Sequence, residues 1–393
     1  MTHPSMLIVF WASIALLVYI FIGYPVIVAV WSRLKPNPWR SEAFEPMVSI
    51  VIAAHNEEER IGRKVANLLE LDYPSDRVEI LVGSDGSSDG TLERLRSVAE
   101  QRIRIFVLPE RKGKPTVLNM LVPRANGEIV VLADVRQRFD PQILRTLVRS
   151  FADPKVGAVT GELILRADEN TAVGEGAGAY WRYEKFIRSC ESRIDSTIVV
   201  TGAIYAIRKS VFERIPDDTI VDDLLIPLRI ARRGYRVVFE REAHAYDVAP
   251  ATVREEFARK VRTLAGAFQL FAREDWLLSP AKNRLVWQVI SHKALRLVTA
   301  PLQALAFAAN IELAIASRFF QLMLAAQLLF YGSATAGWIL ARNRKRSRLF
   351  TIPYSFCLLS WASVVGFVKC VTSGQSVMWD KAAASTDARF DVP

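Results

Sequence analysis

MVSIVIA at residues 47–53 and EILVG at residues 79–83 are the two stretches of sequence that decide the fold. Both are short and rich in β-branched residues, which predicts a β-strand at each place. The segment between them, residues 57–71, carries apolar side chains at helical spacing. The sequence therefore predicts a strand, a helix and a second strand, which is the unit from which parallel sheets are built.

The same alternation continues along the chain. It predicts helices at residues 91–101 and 116–125 and strands at residues 103–108 and 128–133. Strands separated by helices predict an α/β domain with a mostly parallel sheet, which binds ligands beyond the carboxyl ends of its strands. Polar residues follow three of these strands, at residues 54–58, 84–90 and 134–136.

The glycine patterns of two common nucleotide-binding folds do not follow any of these strands. A GxGxxG or GxxxxGK[ST] motif would indicate a dinucleotide-binding or P-loop domain. Acidic and amide side chains collect at the predicted sheet edge instead. Such a crevice suits a ribose, a base imide N–H or a divalent cation that bridges phosphates.

The N-terminal segment predicts a membrane helix. Residues 6–31 contain no charged residue and are long enough to cross a bilayer. The basic residues follow the apolar run, unlike those of a cleaved signal peptide, so we expect a retained anchor. Further spans are predicted at residues 297–317, 319–341 and 349–368, and residues 286–296 suit a helix in the membrane plane.

The positive charges predict the orientation. The net charge is +10, and much of the excess flanks the apolar segments at residues 33–40 and 342–348, which is typical of the cytoplasmic side. Nucleic-acid binding is therefore not needed to explain it. The three cysteines form no CxxC pair, so neither a disulfide framework nor a zinc site is predicted.

The chain is therefore predicted to be a multi-pass protein of the plasma (inner) membrane. Residues 1–40 are the anchor with its basic flank, residues 41–282 are the cytoplasmic α/β domain, and residues 283–393 carry the remaining membrane helices. Four spans leave the tail at residues 374–393 outside, unless it turns back into the interface.

Seven motifs together resemble glycosyltransferase family 2 proteins with a GT-A fold. The similarity is to the membrane-bound branch that includes hyaluronan, chitin and cellulose synthases and exopolysaccharide glycosyltransferases. The motifs, in chain order, are VSIVIAAHNEEERI, VGSDGSSDGT, RKGKPTVLN, VLADVRQ, VTGAIYAIRKSVF, VDDLLIPLRIARRGYRV and FARKVRT. The resemblance implies inverting sugar transfer from a nucleotide-sugar, most simply a UDP-sugar, in surface polysaccharide biosynthesis.

The resemblance also implies the residues of the donor site. It assigns Ala54, Glu57 and Asp85 to the uridine, and Lys114 and Arg262 to the diphosphate. A carboxylate accepts a hydrogen bond from the uracil imide, and a lysine neutralises phosphate as a point charge. The residues alone also allow Asp85 to shape only an Asp-Gly turn.

The metal motif departs from the family pattern. Asp134-Val135-Arg136 stands where relatives have Asp-x-Asp, so the resemblance implies a divalent metal, Mn²⁺ or Mg²⁺, on Asp134 with one carboxylate missing. One carboxylate suffices when phosphates and water complete the shell. Alternatively, Arg136 supplies the positive charge itself. His244 is either a further ligand or structural.

Asp222 and Asp223 match the acidic pair of the family, whose second member is the general base. Inverting transfer needs a base to take the proton of the acceptor hydroxyl, and we expect Asp223 in that role. The neighbouring carboxylate of Asp222 disfavours ionisation of Asp223 and so raises the basicity of Asp223. The pair also suits the start of the following helix, and the two roles are compatible.

The acceptor side is implied by weaker similarities. Residues 199–203 resemble the acceptor-side loop of the family, so Gly202 and Tyr205 are expected near the acceptor, and Trp379 follows the last span. Arg262 matches the arginine of Gln-x-x-Arg-Trp, but Thr263 replaces the tryptophan. Polymer extension and single addition to a polyprenyl-linked glycan therefore both stay open. The expected partners are the donor, that acceptor, the bilayer and export proteins.

Two other classes of protein are alternatives to an enzyme. A non-catalytic membrane scaffold is suggested by Arg136, although the acidic residues at 222 and 223 are intact. A transporter needs polar residues within several spans, and Glu312 is the acidic residue that the predicted spans contain.

Overall fold

The computed structural model describes residues 4–166, 172–248, 252–343, 347–372, 376 and 378, without the side chains of residues 166, 172–180 and 348. The strands are β1 Val48–Ala54, β2 Val78–Asp85, β3 Ile103–Leu108, β4 Ile129–Ala133, β5 Arg138–Phe139, β6 Val156–Arg166, β7 Ile204–Arg208 and β8 Arg236–Val248. The helices are α1 Pro4–Val18, α2 Tyr24–Leu34, α3 Glu58–Leu69, α4 Thr91–Arg96, α5 Lys114–Leu121, α6 Ile143–Val148, α7 Ala172–Ile194, α8 Asp222–Arg232, α9 Val253–Arg273, α10 Val286–Gln288, α11 Leu295–Leu297, α12 Thr299–Ala314, α13 Arg318–Arg342 and α14 Arg348–Thr372.

The eight strands form one mixed sheet in the order β3-β2-β1-β4-β7-β6-β8-β5. The first four pair in parallel, as the alternation of strands and helices predicts. β7 runs antiparallel to β4 and β6, and β5 runs antiparallel to β8. The predicted α/β fold is confirmed, and the mixed half of the sheet is the part that the sequence pattern did not predict.

The core lies on both faces of this sheet, since every residue of β1 and β2 is buried. One face packs against α3, whose Ile61, Val65 and Leu68 are fully buried. The other packs against α5 and α8. The helix predicted at residues 91–101 is shorter than expected and ends at Arg96, followed by turns that lead into β3.

The apolar helices match the predicted spans. Pro4–Leu34, Arg318–Arg342 and Leu349–Thr372 are each long and apolar enough to cross a membrane. A fourth candidate is the bent pair Val286–Leu297 and Thr299–Ala314, which meet at an angle of 61°. One N-terminal and about three C-terminal apolar helices therefore fit candidate spans.

Two π-helical turns interrupt the helices nearest the sheet domain. One, Tyr19–Gly23, joins α1 to α2, and the other, Val289–Ala294, joins α10 to α11. The two turns touch each other, because the Tyr19 hydroxyl lies 2.7 Å from Ser291 Oγ. Wide turns of this kind occur mostly as local departures from α-helix at functional positions.

Candidate active site

The polar residues predicted to meet at one sheet edge do so. β1 lies between β2 and β4, and Ala54 at its end pairs with Ser84, next to Asp85. Asp134 directly follows β4 on the other side. Parallel strands place these three carboxyl ends together, as the register requires.

Asp85 anchors the loop that precedes α5. Its carboxylate is fully buried, and it accepts hydrogen bonds from the backbone N–H of Lys112 at 2.6 Å and of Gly113 at 2.8 Å. Gly113 has a φ of +92°, which a residue with a side chain rarely adopts. Asp85 therefore fixes the start of the helix that carries Lys114, and a direct contact with a nucleobase stays a prediction.

Glu57 lies in the loop after β1, which is bonded to the segment that follows β2. Its backbone N–H donates to Thr91 Oγ1 at 2.8 Å, and its carboxylate accepts from Arg60 at 3.2 Å. Asn56, at a φ of +53°, accepts from the backbone N–H of Ser88 at 2.8 Å. These bonds hold the loops after β1 and β2 together as one rim of the site.

Lys114 lies between two of the predicted acidic residues. Its ammonium is 2.8 Å from Asp134 Oδ1 and 3.6 Å from Asp222 Oδ2. Burial opposes the ammonium charge, but Asp134, Asp222 and Asp223 outweigh it and raise the pKa of Lys114. The site therefore holds a permanent positive charge beside its carboxylates.

Asp222 and Asp223 begin α8, in the first turn where carboxylates are favoured. Burial, followed by the charge of Asp222, raises the pKa of Asp223 to about 6, although Lys114 and Lys293 oppose the shift. A carboxylate with a pKa near neutrality is suited to take a proton from a hydroxyl group.

The buried hydroxyl of Tyr205 faces this cluster without a hydrogen-bond partner among the described residues, whereas the buried Asp222 Oδ2 has the Lys114 ammonium 3.6 Å away as an ion-pair partner. Burial and the charges of Asp222, Asp223 and Asp134 raise the pKa of Tyr205, which places the phenol beside the carboxylates. Buried polar groups are normally paired, so unpaired ones at a cleft indicate a place for ligand or water.

Gly202 lies against Asp223. A Cβ atom at Gly202 would be 3.0 Å from Asp223 Oδ2 and 3.1 Å from its Cβ, closer than side chains normally pack. The loop before β7 therefore packs so closely against Asp223 that a side chain at residue 202 would displace Asp223 by a few tenths of an ångström. This brings the predicted acceptor residue and the predicted base into contact.

Arg136 is bound to an aspartate that the sequence reasoning did not single out. Its guanidinium donates to Asp247 Oδ2 at 2.6 Å, and the Gln137 amide donates to the same oxygen at 2.8 Å. Asp247 lies on β8 and is 1 % exposed, so it needs these partners. Arg136 and Asp247 are 111 residues apart in the sequence, so no local sequence pattern predicts that they pair.

One carboxylate, Asp134, stands where the sequence predicts a divalent metal. Within the described residues no three His, Cys, Asp or Glu side chains come together to hold a metal ion. Asp134 is the carboxylate of the predicted metal motif, and its side chain is 41 % exposed and lies beside Lys114. Metals that bridge phosphates need only one or two protein carboxylates, so Asp134 is compatible with such an ion.

Arg262 lies on α9, which packs against the residues before α8. A Cβ atom at Gly266, one turn along α9, would be 2.7 Å from Val221 and 2.8 Å from Ile220. The helix that carries Arg262 therefore borders the acidic pair. Trp379, the third expected acceptor residue, lies outside the described residues.

A family model described as "Glycosyltransferase like family 2" matches residues 46–269 of the chain. These residues include the whole sheet and the acidic site.

Two curated relatives are named as a polysaccharide synthase and a probable glycosyltransferase. The poly-beta-1,6-N-acetyl-D-glucosamine synthase of Staphylococcus aureus (strain COL) is 27 % identical over 232 residues, 58 % of this chain and 56 % of that protein. The probable glycosyltransferase YdaM of Bacillus subtilis (strain 168) is 26 % identical over 250 residues, 58 % of this chain and 57 % of that protein. Each match therefore spans little more than half of the relative.

A solved structure is similar over most of the chain. The mannosyltransferase PcManGT from Pyrobaculum calidifontis, in complex with GDP-Man and Mn²⁺, has a TM-score of 0.71 and 25 % sequence identity. The likeness covers 93 % of this chain and 99 % of that one, so it extends beyond the sheet domain into the apolar helices.

Proposed function

Since the chain belongs to the glycosyltransferase-like family 2, we propose that it transfers a sugar, with inversion, from a nucleotide-sugar to a growing polysaccharide or polyprenyl-linked glycan. The observation that carries this proposal is the position of Asp223, which combines a pKa of about 6 with contact to Gly202 on the acceptor side. A UDP-sugar is the proposed donor. The role in exopolysaccharide synthesis rests on the similarity to the Staphylococcus aureus synthase.

The proposed reaction is one displacement at the anomeric carbon. Asp223 takes the proton from the acceptor hydroxyl while its oxygen bonds to C1 of the donor sugar. The bond between C1 and the diphosphate oxygen breaks on the opposite face, and the nucleoside diphosphate leaves with the bonding electrons. Lys114, and Arg262 from α9, offset the negative charge that develops on this leaving group.

The donor base is proposed to lie against the joined loops after β1 and β2, which hold Ala54, Glu57 and Asp85. Asp134 would hold a divalent metal, which supplies further positive charge to the diphosphate when it is bound. Arg136 is the alternative source of that charge, although one of its nitrogens is already engaged with Asp247. The two possibilities differ in their response to a chelator.

We propose that the sheet domain lies in the cytoplasm and that the chain is held in the plasma (inner) membrane. The first candidate span, Pro4–Leu34, is followed by Lys35 and Arg40, which favours the cytoplasm for the sheet domain after it. A membrane-bound enzyme with a lipid-linked or membrane-emerging acceptor needs its site close to the bilayer. α9 meets this need because it packs closely against α14, where a Cβ atom at Gly366 would be 3.0 Å from Ala265 N.

The test is nucleoside-diphosphate release by the purified full chain in lipid nanodiscs that contain membrane lipid extract. UDP-, GDP- and TDP-sugars are screened with Mn²⁺, with Mg²⁺ and with chelator, beside the Asp223→Asn variant. We expect release with one donor and its loss in Asp223→Asn. Equal release by Asp223→Asn contradicts the assigned base, and absence of release with every donor favours a scaffold. Full activity in the presence of chelator would assign the positive charge at the diphosphate to Arg136 and not to a metal ion.

A further inference from the structure

Lys293 is a cation at the membrane end of the site. It lies in the π-helical turn Val289–Ala294 and is partly buried. Its ammonium makes no hydrogen bond or ion pair with any residue that the structure describes, whereas its charge acts on Asp223. Placing a charge in a protein crevice is unfavourable unless something compensates it.

Arg188 is a second cation near the same place. It lies on α7, is 5 % exposed and donates from Nη1 to Thr201 Oγ1 at 2.9 Å. Its buried Nε has no hydrogen-bond partner in the described part of the chain. Thr201 precedes Gly202, which touches Asp223. Arg188 is thus joined to the base through two adjacent residues of one loop.

The carboxylates around these cations already have partners. Glu184 lies 3.1 Å from His292 Nε2 and is paired with Arg296. Glu191 lies 2.8 Å from His292 Nδ1 and accepts from the Tyr24 hydroxyl at 2.5 Å. Neither carboxylate makes a hydrogen bond or ion pair with Arg188 or Lys293, although the charges of Glu184 and Asp223 act on Lys293. Arg188 also lies over the ring of Trp181, 5.6 Å from its centroid. A phosphate would be the direct anionic partner that these two cations lack.

Membrane elements surround this group. The turn that carries Lys293 lies in the first half of the bent candidate span and continues into α11, which is followed by α12 after a bend of 61°. Trp287 Nε1 donates to the Tyr19 hydroxyl at 3.0 Å, and Tyr19 belongs to the first span. The donor side is elsewhere, where Lys114 faces Asp134 at the sheet edge. The charges of Lys293 and Lys114 therefore act on Asp223 from different elements of the fold.

We propose that Arg188 and Lys293 bind the phosphate of a lipid-linked acceptor and hold its sugar hydroxyl toward Asp223. The inference rests on the proposed transferase function and names the acceptor class within it. A neutral glycan gives these two cations no anionic partner, whereas a phosphate ester accepts several charge-assisted hydrogen bonds. The Arg188 Nε and the Lys293 ammonium are the donors that such a phosphate would use.

The test measures binding of farnesyl diphosphate to the full chain in phosphatidylcholine nanodiscs, with UDP-sugar and GDP-sugar binding measured separately on the same samples. Inorganic diphosphate and nanodiscs with phosphatidylglycerol show whether a free phosphate or a general anionic lipid suffices. The variants are Lys293→Met, Arg188→Gln and Arg188→Lys. The matched control is Lys282→Met, an exposed lysine paired with Asp275.

We expect Lys293→Met and Arg188→Gln to weaken farnesyl diphosphate binding about tenfold each, from the loss of one charge-assisted contact. Arg188→Lys is expected to retain part of the affinity, and Lys282→Met and nucleotide-sugar binding are expected to be unchanged. Lys293 is partly exposed, so its variant tests the site even if an Arg188 variant does not fold.

Three outcomes would overturn the proposal. In the first, the wild-type chain fails to bind farnesyl diphosphate. In the second, inorganic diphosphate or phosphatidylglycerol competes with it equally well. Alternatively, the variants lose nucleotide-sugar affinity and keep farnesyl diphosphate affinity, which assigns the cations to the donor. If nucleotide-sugars bind to none of the samples, including the wild type, the result instead contradicts the transferase function itself.

Discussion

The ammonium of Lys114 lies 2.8 Å from Asp134 Oδ1, so the start of α5 and the end of β4 are joined by a charge pair. Asp85 holds the loop that delivers this lysine, through hydrogen bonds to the two preceding backbone N–H groups. The position of the positive charge is therefore set by backbone contacts as well as by its partners.

Removing this ammonium tests the donor side. We expect Lys114→Met to weaken nucleotide-sugar binding by about tenfold or more, because the leaving diphosphate loses a charge-assisted contact. The measurement is isothermal titration with the donor found in the release assay. Lys112→Met is the matched control, since the Lys112 side chain is exposed and the residue contacts Asp85 through its backbone. Equal losses in both variants would show a general charge effect.

The pKa of Asp223 predicts the pH dependence of turnover. The base must be ionised, and its pKa of about 6 means that activity is present above pH 6 and is lost as the pH falls through 6. An ordinary aspartate, with a pKa of about 4, would keep activity to lower pH. We expect turnover at saturating donor to fall tenfold for each unit below pH 6. A flat profile between pH 5 and 7 argues against Asp223 as the base.

The same pKa predicts an effect on stability. Its value in the fold exceeds that of the unfolded chain, so the folded state binds more protons between about pH 4 and 6 and becomes less stable as the pH rises through this range. Asp223→Asn is therefore expected to raise the unfolding temperature at pH 7.5 and to have no such effect at pH 4. The matched control is Asp76→Asn, at an exposed aspartate, which is expected to change neither value.

Gly202 predicts a steric effect on catalysis. Because a Cβ atom there would lie 3.0 Å from Asp223 Oδ2, we expect Gly202→Ala to displace the base and lower kcat at least tenfold while donor affinity is retained. Gly62→Ala is the control, since nothing lies within 4 Å of its Cβ position on α3. That variant is expected to stabilise the chain by about 1 kcal/mol. A normal kcat in Gly202→Ala would show that the loop that carries Gly202 does not position the base.

The Arg136 pair predicts that restoring an Asp-x-Asp motif harms the fold. Asp247 is buried, and Arg136→Asp replaces its cationic partner with a like charge. We expect Arg136→Ala to lower the free energy of unfolding by roughly 2 kcal/mol and Arg136→Asp by more. Adding Asp247→Asn to Arg136→Asp is expected to recover part of the loss. Thermal unfolding in nanodiscs measures this, and equal unfolding temperatures for all four proteins would contradict it.

Local patterns predict much of the site because its parts follow strands. Asp85 and Asp134 stand directly after β2 and β4, and parallel pairing brings strand ends together. The contact of Asp85 with a nucleobase stays a prediction, and the structure adds that its carboxylate accepts hydrogen bonds from backbone N–H groups of the loop before α5. A motif gives the position of a side chain, but its partner depends on a loop 27 residues away.

The sequence by itself determined the parallel half of the sheet, the apolar helices and the acidic residues at the strand ends, because each depends on spacing over a few residues. Only the tertiary structure decided that Arg136 pairs with Asp247, that Gly202 touches Asp223, and that His292 joins two glutamates on α7. These contacts join residues from 21 to more than 100 positions apart. They form because the folded chain buries polar groups that must then find partners wherever packing has placed them.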